Sequence, residues 1–65
     1  MELYWTSRKT INGLKHFVLI NQYEFKKEVY LDFVSALDEA IIFKISKKVF
    51  KESSQWIEGW NDNER

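Results

Sequence analysis

The feature that most constrains the fold is the absence of cysteine from a chain of only 65 residues. Domains this small bury a modest share of their surface, and many are held together by disulfides or a structural metal. Here no disulfide can form, and the single histidine, His16, cannot build a zinc site of the usual Cys/His type. Hydrophobic residues make up 45% of the chain and aromatic residues 17%, more than disordered chains carry. We expect one small globular domain over residues 1–60, packed by aromatic side chains, and a frayed tail over residues 61–65.

The N-terminus and the apolar runs argue against export and against a membrane span. Glu2 is acidic where a signal peptide would be basic, and the apolar runs at residues 17–20 and 40–43 are four residues each. The lack of cysteine also argues against the small secreted disulfide scaffolds. We expect a cytoplasmic protein with no membrane partner.

Alternating apolar and polar residues predict antiparallel strands. Asn12-Gly13 is the dipeptide that best supplies the positive φ angles of a two-residue turn, so the first two strands should form a hairpin. Residues 15–25 alternate, with apolar side chains on both faces near the start, as is typical of a central strand. Residues 40–46 alternate as well and predict a further strand.

Residues 25–40 fit two periods at once. As a helix, their apolar side chains recur at spacings of three and four, with no glycine or proline between them. As a strand, they alternate from Val29 to Leu37, with Lys26-Lys27 as the preceding turn. Composition alone does not decide between the two.

The end of the domain predicts a short helix. Ser53 can accept a hydrogen bond from a backbone N–H of a first turn, and Trp56 and Trp60 would share a helical face. The predicted fold is therefore mainly β, a small antiparallel curved sheet or open barrel with a short C-terminal helix over residues 53–60 and Trp56 plugging one end. The alternative is α+β, with a helix over residues 25–38.

The net charge of zero conceals alternating blocks. Residues 8–27 and 44–51 each carry a net charge of +4, whereas residues 28–43 carry −4. A basic face could therefore exist on a neutral protein and contact phosphate or an acidic surface. The plainer interpretation is that oppositely charged strands lie side by side and neutralise each other. The basic candidates for ligand contact are Lys44, Lys47, Lys48 and Lys51.

The eleven aromatic residues suit either a core or a stacking platform. Rings flanked by lysines are the arrangement that single-stranded nucleic acid binders use. Large rings are also the most economical core for a small domain, and we assign that role to Phe17, Phe33, Phe43 and Trp56. The aromatic candidates for exposed ligand contacts are Tyr4, Tyr30 and Trp60.

Residues for catalysis are sparse. His16 would need partners that the sequence does not announce, whereas as a structural residue it needs one hydrogen bond. The carboxylates follow no metal-binding spacing, and Gly13 and Gly59 stand alone rather than in a phosphate loop. We predict no enzyme, no cofactor and no metal site.

The predicted function is a non-catalytic binding module that engages a nucleotide or nucleic acid through the lysines and aromatic residues above. One alternative is a compact protein-interaction factor or inhibitor encoded by a phage or mobile element. Another is a small enzyme that uses His16. A homodimer is possible under each hypothesis, because a second copy would cover exposed rings.

The ending Ser53-Ser-Gln-Trp-Ile-Glu-Gly-Trp60, together with Trp5-Thr6 and Lys15-His-Phe17, resembles the small tryptophan-rich bacterial proteins, a family of uncharacterised function. The resemblance spans roughly Tyr4 to Trp60 and implies a short β-rich protein, which favours the strand interpretation of residues 29–37. It brings no activity. Where the family pattern suggests a segment of the type Asp-Trp-Arg-Glu-Leu, this chain has Ser46-Lys-Lys-Val-Phe50.

Overall fold

Antiparallel strands dominate the computed structural model, which describes residues 1–60; the predicted tail over residues 61–65 lies outside the described residues. In chain order the elements are β1 (Tyr4–Ile11), β2 (Leu14–Phe25), β3 (Glu28–Ser35), β4 (Ile42–Ser46), α1 (Lys47–Glu52) and β5 (Trp56–Glu58). The five strands form one antiparallel sheet in the order β4-β3-β2-β1-β5. The mainly β prediction is confirmed, and the sheet does not close into a barrel. Within the described range, no helix is long and apolar enough to cross a membrane.

Two tight turns with positive φ angles connect the first three strands. Asn12 and Gly13 have φ angles of 53° and 79°, as the hairpin prediction requires, and Ile11 pairs with Leu14 across the turn. Lys26 and Lys27 make the second turn with φ angles of 53° and 67°. Most side chains with a Cβ adopt this left-handed region at a cost of about 1–2 kcal/mol per residue, whereas glycine adopts it freely and asparagine tolerates it. The second turn is therefore strained and the first is not.

The ambiguous segment is a strand, and the alternative of a helix over residues 25–38 is wrong. β3 pairs with β2 on one side and with β4 on the other. In this position Leu31 and Phe33 point to the same side and are fully buried. A central strand gains hydrogen bonds along both edges and burial along one face, and these tertiary interactions outweigh local helix propensity.

The two faces of the sheet differ in what covers them. One face carries the core, and α1 closes it by inserting Phe50; we call this the helix-covered face. The opposite face, which we call the open face, carries alternate residues such as His16, Val18, Tyr30, Asp32 and Lys44. The buried core consists of Trp5, Phe17, Leu19, Leu31, Phe33 and Phe50, with Phe43 and Trp56 packed against it.

The prediction of a helix over residues 53–60 is wrong. The helix is α1, which lies earlier in the chain and ends before Ser53. Ser46 is its N-cap and accepts a hydrogen bond from the Val49 backbone N–H at 3.1 Å. Ser53 ends it: the Ser53 backbone N–H donates to the Val49 carbonyl, and its hydroxyl accepts from the Gln55 N–H. Both serines are capable caps. Because Phe50 packs against the core, the helix begins at the earlier serine, Ser46.

The last residues are extended rather than helical, and they send two tryptophans to opposite faces. β5 pairs with β1 and places the Trp56 ring among Phe17, Phe33 and other core rings. Gly59, with a φ angle of 79°, then turns the chain, and Trp60 contacts the open-face residues Tyr4 and His16. The prediction that Trp56 and Trp60 share one helical face is therefore wrong.

Candidate functional site

Four lysines surround one pocket at the end of the molecule where α1 meets the β2–β3 turn. Lys47, Lys48 and Lys51 come from α1, and Lys27 comes from the turn. Together with Glu28 and Val29 they line a volume of about 310 Å³, which we call the lysine pocket. None of the four lysines forms an ion pair with a carboxylate of residues 1–60. The pocket therefore concentrates positive charge that the described chain leaves unneutralised.

Local sequence explains why the helix presents its lysines this way. Because α1 buries Phe50 against the sheet, the residues on its other sides remain at the surface. Lys47 is partly buried, whereas Lys48 and Lys51 are exposed. Long lysine side chains can lay their methylene groups along apolar surface while the ammonium stays in water, and Val29 supplies such a surface here.

A second pocket lies on the open face, on the other side of the same hairpin end. It is lined by Tyr23, Phe25, Tyr30 and Lys44, has a volume of about 370 Å³, and is called the tyrosine pocket below. Tyr23 and Tyr30 are direct cross-strand partners, with ring centroids 5.9 Å apart and planes inclined by 30°. The Lys44 Nζ lies 5.4 Å from the Tyr23 ring centroid and 5.9 Å from that of Tyr30. These distances are in the range of cation–π contacts.

The charge state of Lys44 is reinforced by its neighbours. A side-chain hydrogen bond with Tyr23 raises the pKa of Lys44 above its usual value, and the nearby Asp32 carboxylate raises it further. Asp32 lies directly across the strand pair from Lys44. A basic and an acidic residue therefore face each other across β3 and β4 at this position, and Lys44 keeps its positive charge.

The strained β2–β3 turn lies between the lysine pocket and the tyrosine pocket. Lys27 lines the lysine pocket, and the Lys26 Nζ lies 5.4 Å from the Phe25 ring centroid, beside the tyrosine pocket. Backbone strain in native proteins is concentrated at functional sites, where the side chains held in place matter more than the local stability. The turn thus presents two cations between the two pockets, at a position where Asn-Gly would be less strained.

The remaining predicted contacts lie elsewhere on the open face. Tyr4 and Trp60 are 46% and 49% exposed, and their rings meet edge to face at 5.0 Å. The Trp60 indole N–H donates to the Phe17 carbonyl at 3.1 Å, and its ring lies 5.9 Å from that of His16. The predicted ligand surface is thus divided among three places: Tyr4 with Trp60, Tyr30 with Lys44, and the lysines of α1.

An apolar row crosses the open face between these places. The strand register aligns Tyr4, Val18, Val34 and Ile42 across four strands. Ile42 is 59% exposed and Tyr4 nearly half exposed. This row is where a second copy of the chain would find apolar contacts, and the homodimer stays a prediction.

Sequence reasoning missed two residues that line the two pockets. Lys27 was interpreted only as a turn residue and Phe25 only as a member of a strand or helix, whereas Tyr23 was among the rings considered for a stacking platform. The available signal was the segment Tyr23-Glu-Phe-Lys-Lys-Glu-Val-Tyr30, whose aromatic ends flank two lysines. The pocket forms because the hairpin register places Tyr23 directly opposite Tyr30, and the sequence alone does not give this register.

Comparison with known proteins bears on the family alone. No curated protein and no solved structure gives a significant match to the chain. The family model described as "Tryptophan-rich protein (DUF2389)" matches residues 4–61. That span includes all five strands, α1 and both pockets. The chain therefore belongs to the tryptophan-rich protein family DUF2389.

Proposed function

We propose that this protein is a non-catalytic binding module for a phosphate-bearing ligand, a nucleotide or nucleic acid, which it engages at the lysine pocket. The observation that carries the proposal is the convergence of Lys27, Lys47, Lys48 and Lys51 on one pocket without an ion-pair partner in residues 1–60. Lysine ammonium groups that surround a concave surface raise the local concentration of anions. Phosphate contacts of this type supply most of the sequence-independent affinity of nucleic acid binders.

The position of the pocket supports the proposal further. Three of its lysines stand on a helix anchored by Phe50, and the fourth stands on a turn that keeps two lysines in a strained conformation. Rigid supports of this type reduce the backbone ordering required on binding. Among residues 1–60, Glu28 is the single acidic residue that lines the pocket, so the four lysines outweigh its charge.

Replacing one pocket lysine is expected to weaken nucleic acid binding several-fold. For a single strand, each phosphate contact contributes about 0.7 to the slope of log K against log salt, which corresponds to roughly fivefold in affinity at 0.1 M salt. The Kd of Lys48→Gln for a fluorescein-labelled 12-mer of deoxythymidine, measured by anisotropy, should rise by about that factor.

The matched control is Lys9→Gln, which removes the same charge from an exposed position on β1. Its Kd for the same oligonucleotide should stay within about twofold of the unmodified protein. Equal losses in the two variants would mean that only the net charge matters, and the lysine pocket would then not be the binding site.

A further inference from the structure

The tyrosine pocket combines aromatic surface with positive charge in a way that the fold itself does not require. Tyr23 and Tyr30 already support each other across the strands. Phe25, however, is 57% exposed at the end of β2, with the Lys26 ammonium beside its ring. An apolar ring left this exposed next to two further rings is surface that a ligand could cover.

The charges around the pocket select the kind of ligand. Lys44 and Lys26 each hold an ammonium group against the rings, and these cations would repel a cationic guest such as a methylated amine. A flat and uncharged ring attached to an anion suits the same surface, because it can stack on the tyrosine faces while its anion meets the lysines. A nucleobase linked to phosphates has this chemistry.

The relation between the two pockets sets the form of the nucleic acid. They lie on opposite faces of the sheet at one hairpin end, and Lys26 and Lys27 occupy the turn between them. A duplex is too stiff to follow so tight a path, and its base faces are already covered by stacking. A single strand is flexible and exposes base faces to aromatic side chains.

We propose that this protein binds single-stranded nucleic acid around the end of the β2–β3 hairpin, with a base stacked in the tyrosine pocket and phosphates passing Lys26 and Lys27 to the lysine pocket. The inference rests on the proposed function, since the lysine pocket supplies the phosphate contacts. It adds a second site, with a different chemistry, on the other face of the sheet. Affinity then depends on bases as well as on phosphates.

Two oligonucleotides with the same number of phosphates test the inference. One is a labelled 12-mer of deoxythymidine, and the other is a 12-mer of abasic sites. Stacking of one base is worth a factor between about fivefold and about 150-fold in affinity. The unmodified protein should bind the deoxythymidine 12-mer more tightly than the abasic 12-mer by a factor in this range. Phe25→Leu and Tyr30→Leu should lose most of that difference and bind the abasic 12-mer as the unmodified protein does.

Tyr4→Leu tests the competing aromatic contact, because it removes the exposed ring of the Tyr4–Trp60 pair, which lies on the same face but outside the tyrosine pocket. Its preference for bases should remain. Phe25 is so exposed that its replacement should leave the thermal unfolding midpoint unchanged. If Tyr30→Leu fails to fold, Phe25→Leu still tests the inference. Equal affinity for the two 12-mers, or an equal loss in Tyr4→Leu, would overturn the inference while leaving the lysine pocket intact. Failure to bind either 12-mer would overturn the proposed function as well.

Discussion

Trp56→Ala is expected to leave most of the protein unfolded at 25 °C. The Trp56 ring stacks on Phe33 with centroids 5.3 Å apart and contacts three further rings, those of Phe17, Phe43 and Phe50. Truncating a large aromatic core residue costs about 3–5 kcal/mol. In a domain of this size without disulfides, the free energy of unfolding rarely exceeds roughly 3–5 kcal/mol, so the loss is comparable with the whole stability.

Trp60→Ala provides the comparison, because the two tryptophans end the same sequence motif. Trp60 is half exposed; its indole N–H donates to the Phe17 carbonyl, and its ring contacts Tyr4 and His16, so its removal should cost about 1–2 kcal/mol. Urea denaturation followed by far-ultraviolet circular dichroism measures both variants without relying on tryptophan fluorescence. A free energy of unfolding for Trp56→Ala within about 1 kcal/mol of the unmodified protein would show that the Trp56 ring is not packed in the core.

Replacing Lys26-Lys27 by Asn-Gly should make the protein more stable and a weaker binder. Both lysines have left-handed φ angles. Relief of about 1–2 kcal/mol of strain per residue is partly offset by the greater conformational entropy that glycine loses on folding, roughly 0.5–1 kcal/mol, so the free energy of unfolding should rise by about 1–3 kcal/mol in total. The two lost lysines should reduce affinity for single-stranded oligonucleotides by roughly 25-fold at 0.1 M salt, at about fivefold for each phosphate contact. Opposite changes in stability and binding are the expected mark of strain retained for function.

The reciprocal exchange of Asn12-Gly13 for Lys-Lys is the stability control. It imposes the same strain on the β1–β2 turn, where Asn12 and Gly13 have equivalent φ angles, and it should lower the free energy of unfolding by a similar amount. Urea denaturation and anisotropy titrations on the same preparations measure both quantities. If the Asn-Gly variant gains stability and keeps its affinity, the turn lysines take no part in binding.

The sequence was sufficient for those parts of the fold that depend on local pattern. Asn12-Gly13 predicted its turn, and alternation predicted β2 and β4, because turn chemistry and strand period are properties of neighbouring residues. Residues 25–40 could not be assigned from pattern alone. β3 is decided by pairing with β2 and β4, which are contacts distant in sequence.

The position of the helix was not predictable in this way. Ser46 and Ser53 are both suitable caps, and the choice between them depends on where Phe50 meets the core.

The candidate site was predicted in its components but not in its arrangement. Lys47, Lys48 and Lys51 lie together because they share one short helix. Lys27 lines the lysine pocket, and Tyr23 and Phe25 line the tyrosine pocket, only because of the hairpin register.

The salt dependence of binding measures how many lysines at the hairpin end contact phosphates. If four to six lysines at the hairpin end contact phosphates, a plot of log K against log salt for a deoxythymidine 12-mer should be linear, with a slope of about −3 to −4. Fluorescence anisotropy between 20 and 200 mM salt, a range in which phosphate contacts change strongly in strength, gives this slope. A slope flatter than about −1, or no binding at the lowest salt concentration, would mean that these lysines do not bind the phosphates of a single strand.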